Sequence, residues 1–562
     1  MTSRVAIAAA WGTTCVLHNV PRLSAAAGAQ ILVDAIGDRA GTFDEGAVLA
    51  DLLAGVPLAI RSAARYLTSS AAALDGITTF RAYEEALEDR FHGLLDASAE
   101  TSRPRDNVRL TWEISLDRLE QRGMRQARWI MRLLGEFADA PLPASIIHPE
   151  VLGRGPATRL SNWVVARHPH WNRATRSLLS RKGARPGGCD PALAALVDVG
   201  LLDLDTVRGN GPPNAVPCVI SHPLVRRHND ALLAEDRALH RSLFAAAVAL
   251  VRSATARLNL EDPFELSELA MLAPHIEKML NRCSDDSSLR YRAALVDCAN
   301  VVCWALYGYG DYVRTYSLAA LNVRFARQLL RPGRRVSLAA EHAYCRALLI
   351  MGQAPVAVIA LRELADRSRR CLGARDQDTL KIQFNLAYAE RETGQAEKAL
   401  SIFREILHIR LADLGESHAV TLRTQAYLAE TMASNGDLAD ARRELEGINN
   451  RCRSTLRPES PASLYVGKVL ARTLKLMGLL ADAEASFNQL LRVASRTHVQ
   501  DHPEVLDIRH GLAATWILQG RVDEAVPMLE GIVQARGRQL GPGHPDTLNT
   551  AAELSQLRAP RP

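Results

Sequence analysis

Six glycines stand 42 residues apart, at Gly310, Gly352, Gly394, Gly436, Gly478 and Gly520. Five residues after each comes Thr315, then Ala357, Ala399, Ala441, Ala483 and Ala525. Thr379-Leu380, Thr421-Leu422 and Thr547-Leu548 keep the same step, with Ser463-Leu464 and Val505-Leu506 filling the places between. A period held this long requires stacked supersecondary units, each burying its apolar face against its neighbours, and such arrays serve mainly as binding surfaces.

Inside one unit, Thr379 to Glu392 reads as a helix with Leu380, Phe384, Ala387 and Tyr388 on one face. Gly394 stops it, since a glycine just past a helix end takes the left-handed conformation that satisfies the last carbonyls. A second helix starts at once, and Glu397, Asp440, Asp482 and Asp523 place acidic charge in its first turn, where the helix dipole favours it. The small residue at Ala399 lets two antiparallel helices cross closely. A length of 42 also suits HEAT or armadillo units, but the glycine and alanine decide against them. The turns G-Q-A-E-K-A, G-D-L-A-D-A, G-L-L-A-D-A and G-R-V-D-E-A resemble the inter-helix turn of tetratricopeptide repeats (TPRs). With the L-G-P-G-H-P-D-T-L connection from Leu540 to Leu548, they resemble the kinesin-light-chain subtype. The resemblance covers residues 291–562 and implies a right-handed α-α superhelix whose concave face binds a protein or peptide, with self-association as a further expectation. Asn385, Arg391, Gln425, Arg472 and Arg509 are among the residues expected on that face.

At 562 residues the chain should hold several domains, and 48% apolar content supplies ordinary cores. A net charge of +6 spread over this length points to neither a nucleic acid nor a membrane. Nine cysteines without a C-x-x-C spacing fit reduced thiols and a cytoplasmic location. Cys298 and Cys303 read as core filling on a helix. The apolar run after Arg4 is too short for an export signal, and no segment reaches the roughly 20 apolar residues of a membrane span.

The run D-L-L-A-G-V-P-L-A from Asp51 to Ala59 resembles the G-L-P-L-A motif of NB-ARC domains, the nucleotide switch of STAND ATPases, in their bacterial, actinobacterial-type members. Val20 to Asp38 is similar to the helical segment before that motif. Thr111 to Asp117 and Gln126 to Pro143 are similar to the start of the family's winged helix, and Ile220 to Val225 stands where the family has M-H-D. The resemblance implies that Pro57 packs on an adenine ring, that His222 meets the β-phosphate of ADP, and that Arg4, in M-T-S-R-V, belongs to a sensor strand. Residues of the wing bridging to a phosphate would couple domain arrangement to nucleotide. No G-x-x-x-x-G-K-[ST] loop occurs, and the one Gly-Lys pair, Gly467-Lys468, falls inside a repeat helix. ADP or ATP is therefore expected only if a P-loop half precedes this chain, and no cofactor is expected otherwise. No catalytic constellation and no metal-ligand spacing is present in the sequence, and no enzymatic activity is expected of this chain.

Arg154 to Gly188 is rich in arginine and carries Trp163, His168, His170 and Trp171. A winged helix beside such a segment admits a DNA-binding regulator as an alternative, whose duplex binding would be salt-sensitive; a solvated face or intramolecular packing is the plainer reading. The expected organisation is mainly α. It comprises a nucleotide-fold remnant at 1–20, a helical subdomain at 21–105, a winged-helix-like domain at 106–235 with a basic insertion at 154–188, a helical linker at 236–290, and TPRs at 291–562. The function expected is that of the sensor arm of a STAND-type signalling protein; the alternative is a complete switch ATPase of which this chain is the C-terminal part.

Overall fold

The helix-turn-helix expected of each 42-residue unit recurs through the C-terminal half of the chain. The structure, a computed structural model, describes residues 23 to 558, leaving out 96–103, 148–190, 209–214, 258–262, 284–288, most of 222–235 and a few positions before 126. The chain divides into two compact units: residues 1–139, 148–205 and 219–246, and residues 140–147, 206–218 and 247–562.

The first unit contains α1 (Ala25–Ile36), α2 (Phe43–Leu52), α3 (Pro57–Thr68), α4 (Phe80–Leu95), α5 (Pro104–Gln121), α6 (Gln126–Leu134) and α7 (Pro191–Asp198). Local chemistry sets their starts. Ser24 caps α1 by accepting the Ala27 amide at 3.2 Å, and Thr42 with Glu45 forms a reciprocal capping box on α2. Pro57 begins α3, where the missing amide costs nothing. A Cβ at Gly28 would lie 2.6 Å from Ala50 Cβ and 2.9 Å from Ile60 Cδ1, so only glycine lets α1 approach α2 and α3 this closely. Leu32, Leu49, Ile60, Tyr66 and Tyr83 fill the core beneath. Arg128 on α6 ion-pairs with Glu113 and Asp117 on α5, which explains the acidic residues of the T-W-E-I-S-L-D run as a clamp between the two helices. Strands β1 (Leu142–Pro143), β2 (Leu202–Arg208) and β3 (Ala215–Ser221) form one small sheet ordered β1-β3-β2.

Helices α8 (Arg237–Arg257), α9 (Pro263–Ala270) and α10 (Ala273–Arg282) precede the repeats. Antiparallel pairs then follow: α11 (Leu289–Tyr309) with α12 (Tyr312–Leu329), α13 (Arg335–Ile350) with α14 (Ala354–Leu372), and α15 (Gln377–Glu392) with α16 (Ala396–Leu414). They continue as α17 (Ala419–Ser434) with α18 (Leu438–Thr455), α19 (Pro461–Leu476) with α20 (Leu480–Ala494), and α21 (Pro503–Leu518) with α22 (Val522–Gln539). Helix α23 (Pro545–Arg558) stands as a seventh first helix. All six repeat glycines have positive φ, from 73° to 105°, a conformation that strains any residue with a Cβ. Thr315, Ala357, Ala399, Ala441, Ala483 and Ala525 have no exposed surface. Around Ala399 the core consists of Leu380, Phe384, Ala387, Phe403 and Ile406. Tyr388, expected on that apolar face, is half-buried and meets Tyr427 of the next unit, as Phe384 does. Cys298 and Cys303 are core residues, and burial pushes both thiols up to about 12.

Candidate functional site

The first helices of successive units share a register, so one position of the repeat becomes a column of side chains. One column reads Trp304, Arg346, Tyr388, Glu430 and Arg472; a second reads Lys381, Arg423, Tyr465 and Asp507. Members of the two columns meet one another, Tyr465 with Glu430 and Arg472 with Asp507. Arg346 stacks its guanidinium 3.2 Å from the Trp304 ring centre and 4.5 Å from that of Tyr307. Tyr427 stacks on Tyr465 at 4.2 Å, and Tyr307 on Tyr312 at 5.6 Å. Burial raises the Tyr427 hydroxyl to about 12, and the nearby Tyr307 adds to the shift, although Tyr307 belongs to the first unit and Tyr427 to the fourth.

The charges contributed by α15, α17, α19 and α21 form a self-contained set. Arg391 pairs with Glu430, and Arg472 bridges Glu430 at 3.5 Å and Asp507 at 2.8 Å. Lys468 reaches Glu504 and Asp507, each at 2.9 Å, and the Tyr465 hydroxyl donates to Glu430 at 2.5 Å. Burial by itself would raise the Asp507 carboxyl; Arg472, Lys468 and Arg536 hold it well below the usual range. His510 faces Glu553 at 2.9 Å.

The solenoid also winds back onto itself. Asp376, His418, Ser460, His502 and His544 occupy one register, and each accepts from a backbone amide in the first turn of the helix it starts. In the three histidines Nδ1 is the acceptor, so each neutral ring carries its proton on Nε2. His502 Nε2–H donates to the Gly308 carbonyl at 3.1 Å, and His544 Nε2–H to that of Ile350 at 2.9 Å; each pair is 194 residues apart in sequence. The following prolines complete the contact. A Cβ at Gly310 would lie 2.6 Å from Pro503, and one at Gly352 would lie 2.5 Å from Pro545, whereas at Gly394, Gly436, Gly478 and Gly520 nothing lies within 4 Å. The turn of the first unit thus carries the start of the sixth, and the second carries the seventh.

The structure separates the residues expected on the concave face. Arg391 and Arg472 belong to the ion-pair ladder, and Asn385 meets His342 of the preceding unit at 2.7 Å. Gln425 and Arg509 share a register that points toward the second helix of their own unit. Gln425 accepts from Arg451 on α18, and Arg509 lies against Gly531 on α22. A helix presents its bore-facing residues on a narrow stripe, and these two stand one register away from it. Of the residues expected to contact nucleotide, Pro57 is solvent-exposed at the start of α3, while Arg4 and His222 lie outside the described residues, as does the basic segment 154–188. Gly55, two residues before Pro57, has φ 62°, and its carbonyl accepts the Leu23 amide at 3.0 Å; a Cβ there would lie 2.1 Å from the Leu23 oxygen. Lys468 of the Gly467-Lys468 pair is buried in α19 among its ion pairs. Among the described residues no group of three or more His, Cys, Asp or Glu side chains could hold a metal, and no helix is long and apolar enough to cross a membrane. The closing contacts of the His-Pro dipeptides at 502–503 and 544–545, the second of which stands in the L-G-P-G-H-P-D-T-L connection, and the two columns are features whose role sequence reading passed over. Extending the 42-residue step to every position of the first helix would have revealed both.

With this geometry in hand, residues 505–546 match a family model described as the tetratricopeptide repeat. A search of curated proteins finds no match to the chain. Among solved structures, the chain is similar to the kinesin light chain TPR-like repeats of Podosopora anserina, with 26% identity, 37% of this chain and 98% of that one covered, and a TM-score of 0.30. It is also similar to a STAND protein with a tetratricopeptide repeat sensor from Pyrococcus horikoshii, with 9% identity, 95% and 69% covered, and a TM-score of 0.41. NprR in complex with its cognate peptide NprX gives 13% identity, 59% and 92% covered, and a TM-score of 0.39. The C-terminal unit is a TPR-type solenoid, as its helix pairs, turn glycines and family match state together.

Proposed function

We propose that the solenoid is a recognition module that takes an extended peptide, or a segment of a partner protein, into its bore. The observation that carries this reading is the lining of half-buried tyrosines and charged side chains, with Tyr388, Tyr465, Arg472 and Asp507 in the two columns and Tyr427 stacked on Tyr465 between them. Tyrosines offer large rigid contact area at little entropy cost, and fixed charges set the register of a ligand. The proposed role is binding rather than chemistry, within the sensor arm of a signalling protein. Selection of random 12-residue peptides displayed on phage against the intact chain tests it. Binders should lose at least tenfold in affinity on Tyr465→Ala and should photo-crosslink to first helices. Absence of binders, or crosslinks confined to second helices, would overturn the reading.

A further inference from the structure

The charges lining the bore are not matched everywhere, and the mismatch points to a ligand. Asp507 compensates Arg472, Lys468 and the buried Arg536. Arg410 repeats Arg536 exactly three units earlier: each donates to a threonine of the next first helix, Arg410 to Thr424 at 2.5 Å and Arg536 to Thr550 at 2.7 Å. At the register of Asp507, however, the earlier units carry Lys381 and Arg423. Cations thus stand where the later unit has its carboxylate.

Among the described residues, Arg346, Arg410 and Arg423 consequently have no acidic partner, and none of the three takes part in an ion pair. Arg346 is 5% exposed and has no acceptor for Nε or Nη1; its one hydrogen bond is a long one, 3.4 Å, to the Cys303 carbonyl. Arg410 is 1% exposed with Nε unpartnered, and the Nε of half-buried Arg423 also lacks an acceptor. Arg410 and Arg423 both lie over the Phe384 ring, at 5.4 and 5.5 Å. Burial lowers Arg346 and Arg410 to about 10, and in both the charge of Arg423 lowers them further, so Arg423 repels each of the other two. Lys381, nearby, is already matched to Asp378 at 3.1 Å. Buried guanidinium donors without acceptors cost free energy that an anion placed among them recovers.

We infer that the part of the bore around Arg346, Arg410 and Arg423 is the docking point for a carboxylate of an acidic peptide. The inference rests on the proposed peptide-binding role and adds to it both a chemistry and a polarity. Arg423, reached from the bore, makes the direct contact, and Arg346 and Arg410 behind it supply the field. The ligand's acidic residue lies here, and its remaining length runs over Tyr427 and Tyr465 toward the self-contained set.

The test uses the full chain with fluorescein-labelled hexaglutamate, hexaglutamine and inorganic phosphate as probes, alongside the phage-selected peptides. Hexaglutamate should bind, hexaglutamine should bind at least tenfold more weakly, and binding should fall with added salt. Arg423→Gln, which removes a half-buried charge and leaves the stacked Arg346 in place, should weaken hexaglutamate at least tenfold. Arg509→Gln, on the face turned to α22, should leave it unchanged and shows that the effect is not general charge loss. The selected peptides should be rich in Glu and Asp and should share the Arg423→Gln loss. Equal binding of the two hexapeptides, or indifference to Arg423→Gln, overturns the anion site; phosphate displacing hexaglutamate at equal concentration overturns the peptide as its source. If selected peptides bind the bore without acidic enrichment, this inference fails while the proposed function stands; if no peptide binds, the proposed function itself has failed.

Discussion

Replacing repeat glycines by alanine, one at a time, separates the cost of a left-handed turn from the cost of closing the superhelix. Gly394 has φ 80° and open space around its Cβ position, so Gly394→Ala adds only backbone strain. Left-handed alanine costs about 1–2 kcal/mol, offset by about 0.4–1 kcal/mol from the stiffer unfolded chain, which leaves roughly 1 kcal/mol. Gly352, with φ 73°, carries the same strain, but its new methyl would sit 2.5 Å from Pro545 Cγ and 2.6 Å from Cδ. Carbon atoms rest at about 3.5–4.0 Å, so Pro545 must withdraw by about 1 Å. That movement stretches the 2.9 Å bond from His544 to the Ile350 carbonyl beyond hydrogen-bonding range and leaves a buried donor unsatisfied. The further loss is about 1–3 kcal/mol, which puts Gly352→Ala at roughly 2–4 kcal/mol in total. Urea unfolding followed by circular dichroism measures the two values. Hydrogen exchange locates the extra loss, which should fall on the first turn of α23 and the end of α13. Equal destabilisation by the two substitutions, within about 0.5 kcal/mol, would show that the His544–Ile350 contact contributes nothing and that the solenoid is open.

Three more outcomes follow from the geometry. Ala483→Leu places a branched side chain in a fully buried helix crossing and should destabilise by about 1–3 kcal/mol, measured by the same urea titration, whereas Leu at exposed Ser434 should be nearly silent. Asp507→Asn removes one of the two acidic partners of both Arg472 and Lys468 and should cost about 2–3 kcal/mol at low salt, with the loss shrinking as salt is added; a salt-independent loss would refute the electrostatic account. His342 and His502 are both depressed to about 3, chiefly by burial, and so stay neutral in the folded chain while the unfolded chain takes up protons below about 6.5. Their contribution is therefore present above pH 6.5 and is lost as pH falls toward 3, at about 1.4 kcal/mol per pH unit for each histidine. His502→Asn keeps a side-chain cap and should flatten the pH dependence of unfolding by about one proton; an unchanged slope would refute the assignment.

Some of the binding face was legible in the sequence and some was not, and the difference has a physical origin. The period, the turn glycines and the small residues at Ala399 and Ala483 are local demands, because a backbone at positive φ and a close helix crossing admit few side chains. These marks specify helix pairs and a TPR-type solenoid. The choice among Asn385, Arg391, Gln425, Arg472 and Arg509 was harder, since one step around a helix separates a bore-facing position from one that faces the partner helix. The acidic residues of the Thr111–Asp117 run became intelligible only when Arg128 was placed between Glu113 and Asp117.

The sequence by itself determined the unit: where each helix begins and ends, how closely each pair crosses, and that the units stack. Those properties depend on contacts within 42 residues, and the repeat states them six times. Only the tertiary structure decided the curvature that brings His502 to Gly308 and His544 to Ile350, and with it which charges in the bore find partners. Small rotations between neighbouring units accumulate over five of them, so a contact 194 residues long is set by the packing of every interface between its ends and by no single local signal.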